Sequence, residues 1–184
     1  MGIICALRKI KESDLEQLRL WRNSEFVRSK MISREEISKS EQIRWFENRD
    51  ESIRLDFIIE DKNGNSIGSA YLFDIDQKHK HAEWGFYLGS EDFTKGGYAL
   101  EAMILLYKYG FEELNLKKVY CRTLSSNPKV VQLHKTFGLN QEGILKNHYL
   151  LDNQWVDVHF MSLFKTEYQK KCEKIEKLIS RFYV

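Results

Sequence analysis

The sequence predicts a mixed α/β protein whose centre is one mostly antiparallel sheet of about seven strands with flanking helices. Three successive strand patterns, at residues 54–60, 66–75 and 81–88, are joined by short turns, and such a series forms an antiparallel meander. A long helical pattern at 98–114 and a strand pattern at 117–123 come next. Because parallel neighbours need a helical crossover, this strand–helix–strand unit predicts one parallel pair within the sheet.

The N-terminal segment is predicted to hold a strand and then a helix. Residues 3–10 have the pattern of a strand. Ser13-Asp14-Leu15-Glu16 matches a capping box, which predicts a helix from there to about Arg22. The polar stretch at 23–38 that follows has no assigned element.

Short turn and capping motifs predict the helices and the hairpin that follow. A second helix is predicted at 39–48, with Ile43 and Phe46 facing inward. Asn63-Gly64 is a strong hairpin signal and joins the first two strands of the meander. Ser126-Asn127-Pro128 predicts a further helix start, since Asn is a favoured N-cap and Pro suits the first helical turn.

The C-terminal part is predicted to close the sheet and to end in a helix. The helix after Pro128 should run to Thr136 and stop at Gly138. Two strands are expected near 143–150 and 155–163, followed by a last helix at about 167–182. Its apolar stripe would consist of Tyr168, Cys172, Ile175, Ile179 and Phe182.

Length and composition favour a single domain spanning residues 1–184, with 42% hydrophobic and 30% charged residues. The net charge is only +2 and basic residues are interleaved with acidic ones, which argues against nucleic-acid or membrane partners. Cys5, Cys121 and Cys172 are widely spaced and odd in number, so we expect no disulfide framework, no zinc site and a cytoplasmic location. The opening residues, MGIICALRKI, match neither a signal peptide nor a membrane-spanning helix.

A glycine turn at 94–99, Thr-Lys-Gly-Gly-Tyr-Ala, opens the long helix after the meander. Two glycines let backbone N–H groups approach a ligand, the helix N-terminus adds partial positive charge, and Lys95 adds a full one. Together these features suit a diphosphate. The turn by itself fits a plain loop before a helix better than a ligand site, and it matches neither GxGxxG nor the P-loop pattern. The choice between a diphosphate site and a plain loop therefore depends on the sequence around the turn.

In those surroundings the chain resembles the GNAT acetyltransferases, over about residues 7–168. Their acetyl-CoA motif, Gln/Arg-x-x-Gly-x-Gly/Ala, corresponds here to Thr94-x-x-Gly97-x-Ala99, and their second motif matches at Asn127, Leu133 and Phe137-Gly138. The resemblance implies the GNAT fold, acetyl-CoA as acetyl donor, no metal, and transfer to a primary amine. The cofactor-binding residues it implies are Phe86, Tyr87, Leu88, Lys95, Gly96, Gly97, Tyr98, Ala99 and Asn127.

The same resemblance implies catalytic roles. The strand pair beside the glycine turn should part, so that the backbone at 86–88 binds the pantetheine arm and the Leu88 N–H polarises the thioester carbonyl. Glu83 is the candidate general base, acting through water, because its apolar strand would raise its pKa. The alternative for Glu83 is an outward-facing or salt-bridged carboxylate. His134 occupies the family's tyrosine position as candidate general acid, with an ordinary pKa of about 6.5, and the alternative is a helix histidine without a catalytic role.

Two further residues have open interpretations at this point. Asn127 hydrogen-bonds the cofactor, caps its helix, or does both. Cys121 lies on a predicted buried strand, and a nucleophilic cysteine needs an activating neighbour that the local sequence does not offer. We therefore expect direct transfer in a ternary complex rather than an acetylated enzyme.

For the acceptor, the segments Trp21-Arg22-Asn23, Met31 and Gln42-x-x-Trp45-Phe46 resemble the N-acetyltransferases of pseudaminic acid biosynthesis, a group within the GNAT enzymes. This implies that Arg22, Met31, Gln42 and Trp45 bind the acceptor, the 4-amino group of a UDP-4-amino-4,6-dideoxy sugar. Arg22, Arg28 and Lys30 suit its diphosphate. The alternatives are acetylation of a protein N-terminus, as in ribosomal-protein acetyltransferases, or of another free amine, and a non-catalytic acetyl-CoA-binding module. A homodimer is left open.

Overall fold

The computed structural model describes residues 4–170 and Lys177, and it contains one seven-stranded sheet in the order β1-β2-β3-β4-β5-β7-β6. The strands are β1 (Cys5–Lys9), β2 (Arg54–Asp61), β3 (Ser66–Asp76), β4 (His81–Leu88), β5 (Lys118–Leu124), β6 (Asn140–Leu151) and β7 (Gln154–Phe164). Neighbouring strands are antiparallel except β4 and β5, which run parallel. The predicted mixed sheet and its one parallel pair are therefore confirmed. That residues 1–184 form a single domain stays a prediction.

Helices cover the sheet and connect its strands. They are α1 (Leu15–Asn23), α2 (Glu25–Arg28), α3 (Lys39–Glu47), α4 (Tyr98–Lys108) and α5 (Pro128–Thr136). A π-helical turn, Tyr109–Glu113, continues α4 almost to the predicted end of that helix. Residues 165–170 are helical, so the C-terminal helix begins two residues before its predicted start. Of its predicted stripe, Tyr168 is buried, and Cys172, Ile175, Ile179 and Phe182 lie outside the described residues.

The first helix start was predicted at the wrong residue. Helix α1 begins at Leu15 after a short 3₁₀ turn, and Ser13 does not cap it. The Asp14 carboxylate instead accepts the N–H of Lys11 at 2.7 Å and pairs with Arg8 at 2.9 Å. A second helix, α2, lies in the polar stretch left unassigned, capped by Ser24. Its four residues are too few to produce a helical period in the sequence.

The inward face of α3 also differs from the prediction. Ile43 is 48% exposed, whereas Gln42 is only 7% exposed and is the buried position of the helix. Helix α3 packs against α1. Hydrophobicity alone selected the wrong position at Ile43, whereas Phe46, also predicted to face inward, is partly buried against the cluster that includes Trp21 and Ile58. The inward face of α3 is therefore mixed, with buried Gln42 next to partly buried aromatic rings.

The core lies on both faces of the sheet. On the α4 face, Trp84 and Leu88 pack with the helix, and Phe86 is partly buried beside them. On the opposite face, Tyr87 packs against a cluster that includes Trp21 and Ile58. Because successive side chains of a strand point to opposite faces, β4 contributes side chains to the core on both faces of the sheet. Within the part of the chain that the structure describes, no helix is long and apolar enough to cross a membrane.

Candidate active site

The parallel strands β4 and β5 separate halfway along their length. Their pairing ends at Glu83 and Tyr120, although β4 continues to Leu88 and β5 to Leu124. The Gly89 N–H donates to the Ile67 carbonyl at 2.8 Å, which fixes the alternation of the ladder between β3 and β4. By that alternation, the N–H and C=O groups of Phe86 and Leu88 point away from β3 into the gap. The separation predicted beside the glycine turn is therefore present.

The glycine turn has the geometry of an anion-binding helix start. Gly96 and Gly97 both have left-handed backbones, with φ of 84° and 82°, a conformation that favours glycine. The Gly97 carbonyl accepts the N–H groups of Leu100 and Glu101 and so starts α4. Among residues 4–170, no hydrogen bond engages the N–H of Gly96 or Gly97. The Thr94 hydroxyl donates to the Glu91 carbonyl at 2.7 Å, so it is engaged within the preceding turn.

A cavity of about 1240 Å³ extends from this gap to the face covered by α1, α2 and α3. Its size exceeds that of a usual single-ligand pocket and leaves room for a donor and an acceptor together. It brings together most of the sequence-predicted residues, namely Arg22, Met31, Gln42, Trp45, Glu83, Phe86, Tyr87, Leu88, Ala99, Asn127 and His134. Lys95, Gly96, Gly97 and Tyr98 do not line it, and they form the turn that opens α4 next to Ala99.

Glu83 is buried in the cavity wall and forms a two-pronged ion pair. The Arg122 Nε lies 2.9 and 3.0 Å from its two carboxylate oxygens, and a second guanidinium nitrogen lies 2.9 Å from Oε2. Burial raises the pKa of Glu83, and the Arg122 guanidinium opposes that rise without cancelling it. The structure therefore combines the two interpretations of Glu83, since the carboxylate lines the cavity and is also salt-bridged.

His134 is more deeply buried than its predicted role requires. It is 4% exposed, its ring stands edge-on to Trp84, and its Nδ1 lies 3.2 Å from the Thr123 hydroxyl. Burial lowers the pKa of His134 to about 4. The partly protonated imidazole expected at neutral pH is therefore not supported, because burial favours the neutral ring.

Cys121 does have a histidine neighbour, contrary to the expectation from the local sequence. Its Sγ lies 3.5 Å from the His134 Nδ1. Burial raises the pKa of the Cys121 thiol to about 12, so the nucleophilic thiolate is scarce. The pairing exists because α5 packs on β5, a contact between residues 13 positions apart.

One polar side chain of the cavity wall, that of Asn127, is left for a ligand. Asn127 occupies the N-cap position of α5, where its carbonyl accepts the N–H groups of Val130 and Val131, but its side chain makes no capping hydrogen bond. The buried indole N–H of Trp84 has no hydrogen-bond partner in the described part of the chain. Because the Trp84 nitrogen is enclosed by protein, only Asn127 is placed to meet a ligand with amide or carbonyl groups in the gap.

Besides the predicted Arg22, the acceptor side of the cavity contains charged and aromatic residues that the sequence did not single out. The Arg54 guanidinium donates hydrogen bonds of 2.8 to 3.1 Å to the buried carboxylate of Asp56. The Tyr71 ring lies over Gly85, where a Cβ would come within 2.6 Å of its ring and hydroxyl atoms. Arg22 lines the same wall without an ion pair or hydrogen bond to any described residue. Arg28, in contrast, pairs with Glu25 and does not line the cavity.

Arg122 and Tyr71 were missed because their neighbours depend on strand register, whereas Arg54 and Asp56 stand two positions apart on β2 and carry no distinguishing motif. Arg122 reaches Glu83 from the next strand, and Tyr71 stands directly opposite Gly85 across the β3–β4 ladder. Only the pairing of four strands, β2 to β5, brings them to one wall. The alternating pattern of β3 offered a weak signal, but without the register it does not indicate a partner. Among the described residues, no cluster of three or more His, Cys, Asp or Glu could hold a metal ion.

Comparison with known sequences supplies the family. The sequence model of the acetyltransferase (GNAT) domain matches residues 5–140. The spermidine N(1)-acetyltransferase of Vibrio cholerae serotype O1 is 31% identical over 117 residues, which is 64% of this chain and 67% of that protein. The corresponding Escherichia coli K12 enzyme is 29% identical over 112 residues, or 61% and 59% of the two chains. An uncharacterized N-acetyltransferase, p20 of Bacillus licheniformis, is 32% identical over 111 residues, or 60% and 62%.

Comparison with solved structures supports the fold. A V. cholerae spermidine N-acetyltransferase in complex with CoA and spermine superimposes with a TM-score of 0.85 and 24% identity, covering 91% of this chain and 99% of that one. A dodecameric structure of the V. cholerae enzyme gives a TM-score of 0.79, with 91% and 97% coverage. The narrower resemblance to pseudaminic acid enzymes has no support from these names, since the named acceptors are polyamines.

Proposed function

We propose that this chain, which belongs to the acetyltransferase (GNAT) family and uses acetyl-CoA, acetylates a small primary amine that also carries an anionic group. The first candidate for that acceptor is a nucleotide-linked amino sugar. The proposal rests on one observation: Arg22 lines the cavity without a carboxylate partner among residues 4–170. The two other arginines of that wall, Arg54 and Arg122, are each paired with an acidic side chain.

The arrangement supports direct transfer between two bound substrates. Acetyl-CoA supplies an activated acetyl group as its thioester. The Phe86 and Leu88 backbone groups in the gap would hold the pantetheine arm, and the Leu88 N–H would polarise the thioester carbonyl. The glycine turn, with Lys95, would bind the diphosphate of the donor. Glu83, on the acceptor face of the same strand, would take the proton from the amine through a water molecule.

The acceptor wall also suits the rest of an amino-sugar nucleotide. Met31 and Trp45 offer apolar and aromatic surface for a base or a methyl-bearing sugar, and both line the cavity with Gln42. A free guanidinium binds a diphosphate through two parallel hydrogen bonds. Burying an unpaired cation beside an apolar acceptor would be costly, which is why we assign it an anionic partner.

A polyamine is the second candidate, favoured by the names of the relatives and by one structural feature. Glu35 and Glu36 line the cavity mouth as exposed carboxylates, and neither forms an ion pair with a described residue. They suit the second cationic group of a polyamine. The two candidates place opposite charges against the cavity, so Arg22 and the Glu35–Glu36 pair should affect them in opposite ways.

Replacing Arg22 by Gln is expected to lower kcat/KM for a UDP-linked 4-amino-4,6-dideoxy sugar by roughly 10- to 100-fold, because one charge-assisted contact is worth about 1.5–3 kcal/mol. Turnover of spermidine should not fall. Thiol release from acetyl-CoA measures both reactions. Arg28→Gln is the matched control, since Arg28 is a neighbouring arginine outside the cavity. If only spermidine is acetylated, and Glu35→Gln with Glu36→Gln abolishes it, the anionic acceptor is wrong.

A further inference from the structure

A buried hydrogen-bonded group connects β5 to the ring of His134. The Nδ1 atom lies 3.2 Å from the Thr123 Oγ1 and 3.5 Å from the Cys121 Sγ, and these two side chains are themselves 3.9 Å apart. Thr123 is 6% exposed and Cys121 and His134 are each 4% exposed. Solvent therefore does not compete for Nδ1, and the two β5 side chains decide how the imidazole is protonated.

The hydrogen-bond donors around the ring favour one tautomer of neutral His134. Thr123 and Cys121 each offer a hydrogen, whereas the thiol sulfur is a poor acceptor. If Nδ1 carried the proton, it would donate to the threonine oxygen, and the threonine hydrogen would have only the sulfur 3.9 Å away as its acceptor. If Nδ1 accepts, the hydroxyl is satisfied. The neutral ring then carries its proton on Nε2, the nitrogen turned away from β5, and His134 is part of the cavity wall.

We propose that Thr123 is a positioning residue that fixes this tautomer, so that His134 acts as a neutral hydrogen-bond donor to the leaving sulfur. The inference rests on the proposed acetyl transfer. It replaces the general acid expected from the sequence with a group that keeps its own proton throughout. Trp84 supports the ring orientation by its edge-on contact, with centroids 5.1 Å apart.

The chemistry balances without a proton from His134. The amine nitrogen forms the new N–C bond with its lone pair, and the C–S bonding pair leaves on sulfur. The nitrogen proton passes through water to Glu83, and the thiolate is later protonated by solvent. Donation of the Nε2 proton itself would leave an imidazolate, which is far more basic than a thiolate. Hydrogen bonding to the developing charge stabilises the transition state instead.

Kinetics of Thr123→Val should show a fall in kcat of about tenfold, with the KM for acetyl-CoA changed less than twofold, because valine keeps the shape and removes the hydroxyl. Thr123→Ser should restore kcat. In a His134→Phe background, the same Thr123→Val change should lower kcat no further, because each substitution already removes the Thr123–His134 hydrogen bond. An equal loss in both backgrounds would overturn the proposal, because Thr123 would then act independently of the ring.

The tautomer can be read directly in the full-length protein with ¹⁵N-labelled histidine. We expect the His134 resonances to report a neutral ring with Nε2–H between pH 5.5 and 8, and a mixture of tautomers in Thr123→Val. An Nδ1–H ring, or a ring that protonates near pH 6.5, would overturn the proposal. This measurement needs no acceptor. If no amine is acetylated, the proposed function fails while the role of Thr123 is still decided.

Discussion

Glu83→Gln is expected to lower kcat about 100-fold, the lower part of the range for loss of a general base. The amide keeps the size and a hydrogen-bonding oxygen for Arg122, but it cannot accept the amine proton. The pH profile adds a second signature. Burial raises the pKa of Glu83, so wild-type activity should fall as the pH drops toward that raised value and the carboxylate becomes protonated. The variant should lack this acidic limb.

The control for this substitution is Glu142→Gln. Glu142 lies on β6, pairs with Lys118 at 2.7 Å, and does not line the cavity, so it reproduces the loss of a strand carboxylate from an ion pair. Thermal melting of both variants separates loss of folding from loss of catalysis. If Glu83→Gln retains activity within threefold of wild type across pH 6 to 9, Glu83 is not the base.

Acidification is expected to destabilise the wild type by about 3 kcal/mol more than a His134→Phe variant. The His134 pKa is lowered to about 4 in the folded protein, against 6.5 ordinarily. Between these values the unfolded chain binds a proton that the folded chain excludes. The stabilisation is therefore complete above about pH 6.5 and is lost as the pH falls toward 4. A difference of about 2.5 pKa units corresponds to roughly 3 kcal/mol.

Urea unfolding at pH 7.5 and pH 4.5 measures this difference. Wild type and His148→Gln, which removes an exposed histidine, should lose stability in parallel. His134→Phe should lose less, because its unfolded state gains no proton at position 134. Equal losses in all three proteins would show that His134 is not held neutral by burial, and the tautomer proposed above would lose its basis.

The sheet could be predicted from local signals because each signal acts over a few residues. Asn63-Gly64 fixed the hairpin, and the helix between β4 and β5 required a parallel pair. The parting of β4 and β5 followed from the family resemblance, and their register confirms it. The errors arose where packing outweighs local preference. At α3, Gln42 faces inward although Ile43 is more hydrophobic.

The sequence indicated which positions line the cavity, but not the protonation or the ion pairing of their side chains. His134 lies in the cavity wall, yet the groups around its ring, Thr123, Cys121 and Trp84, reach it from β5 and β4 and could not be read from the sequence. Glu83 was identified without Arg122, because their pairing depends on strand register. The acceptor is the least determined feature, since polyamine enzymes are the named relatives while the unpaired Arg22 favours an anion.

We infer that acetyl passes directly from acetyl-CoA to a bound amine in the gap between β4 and β5. The most direct measurement is to mix the protein with acetyl-CoA alone and then with amine, following free thiol, acetylated amine and intact protein mass together. We predict no thiol release and no mass gain before the amine is added, and then one acetylated amine for each thiol. Thiol released at once with an acetyl group on Cys121, the cysteine beside His134, would contradict the account.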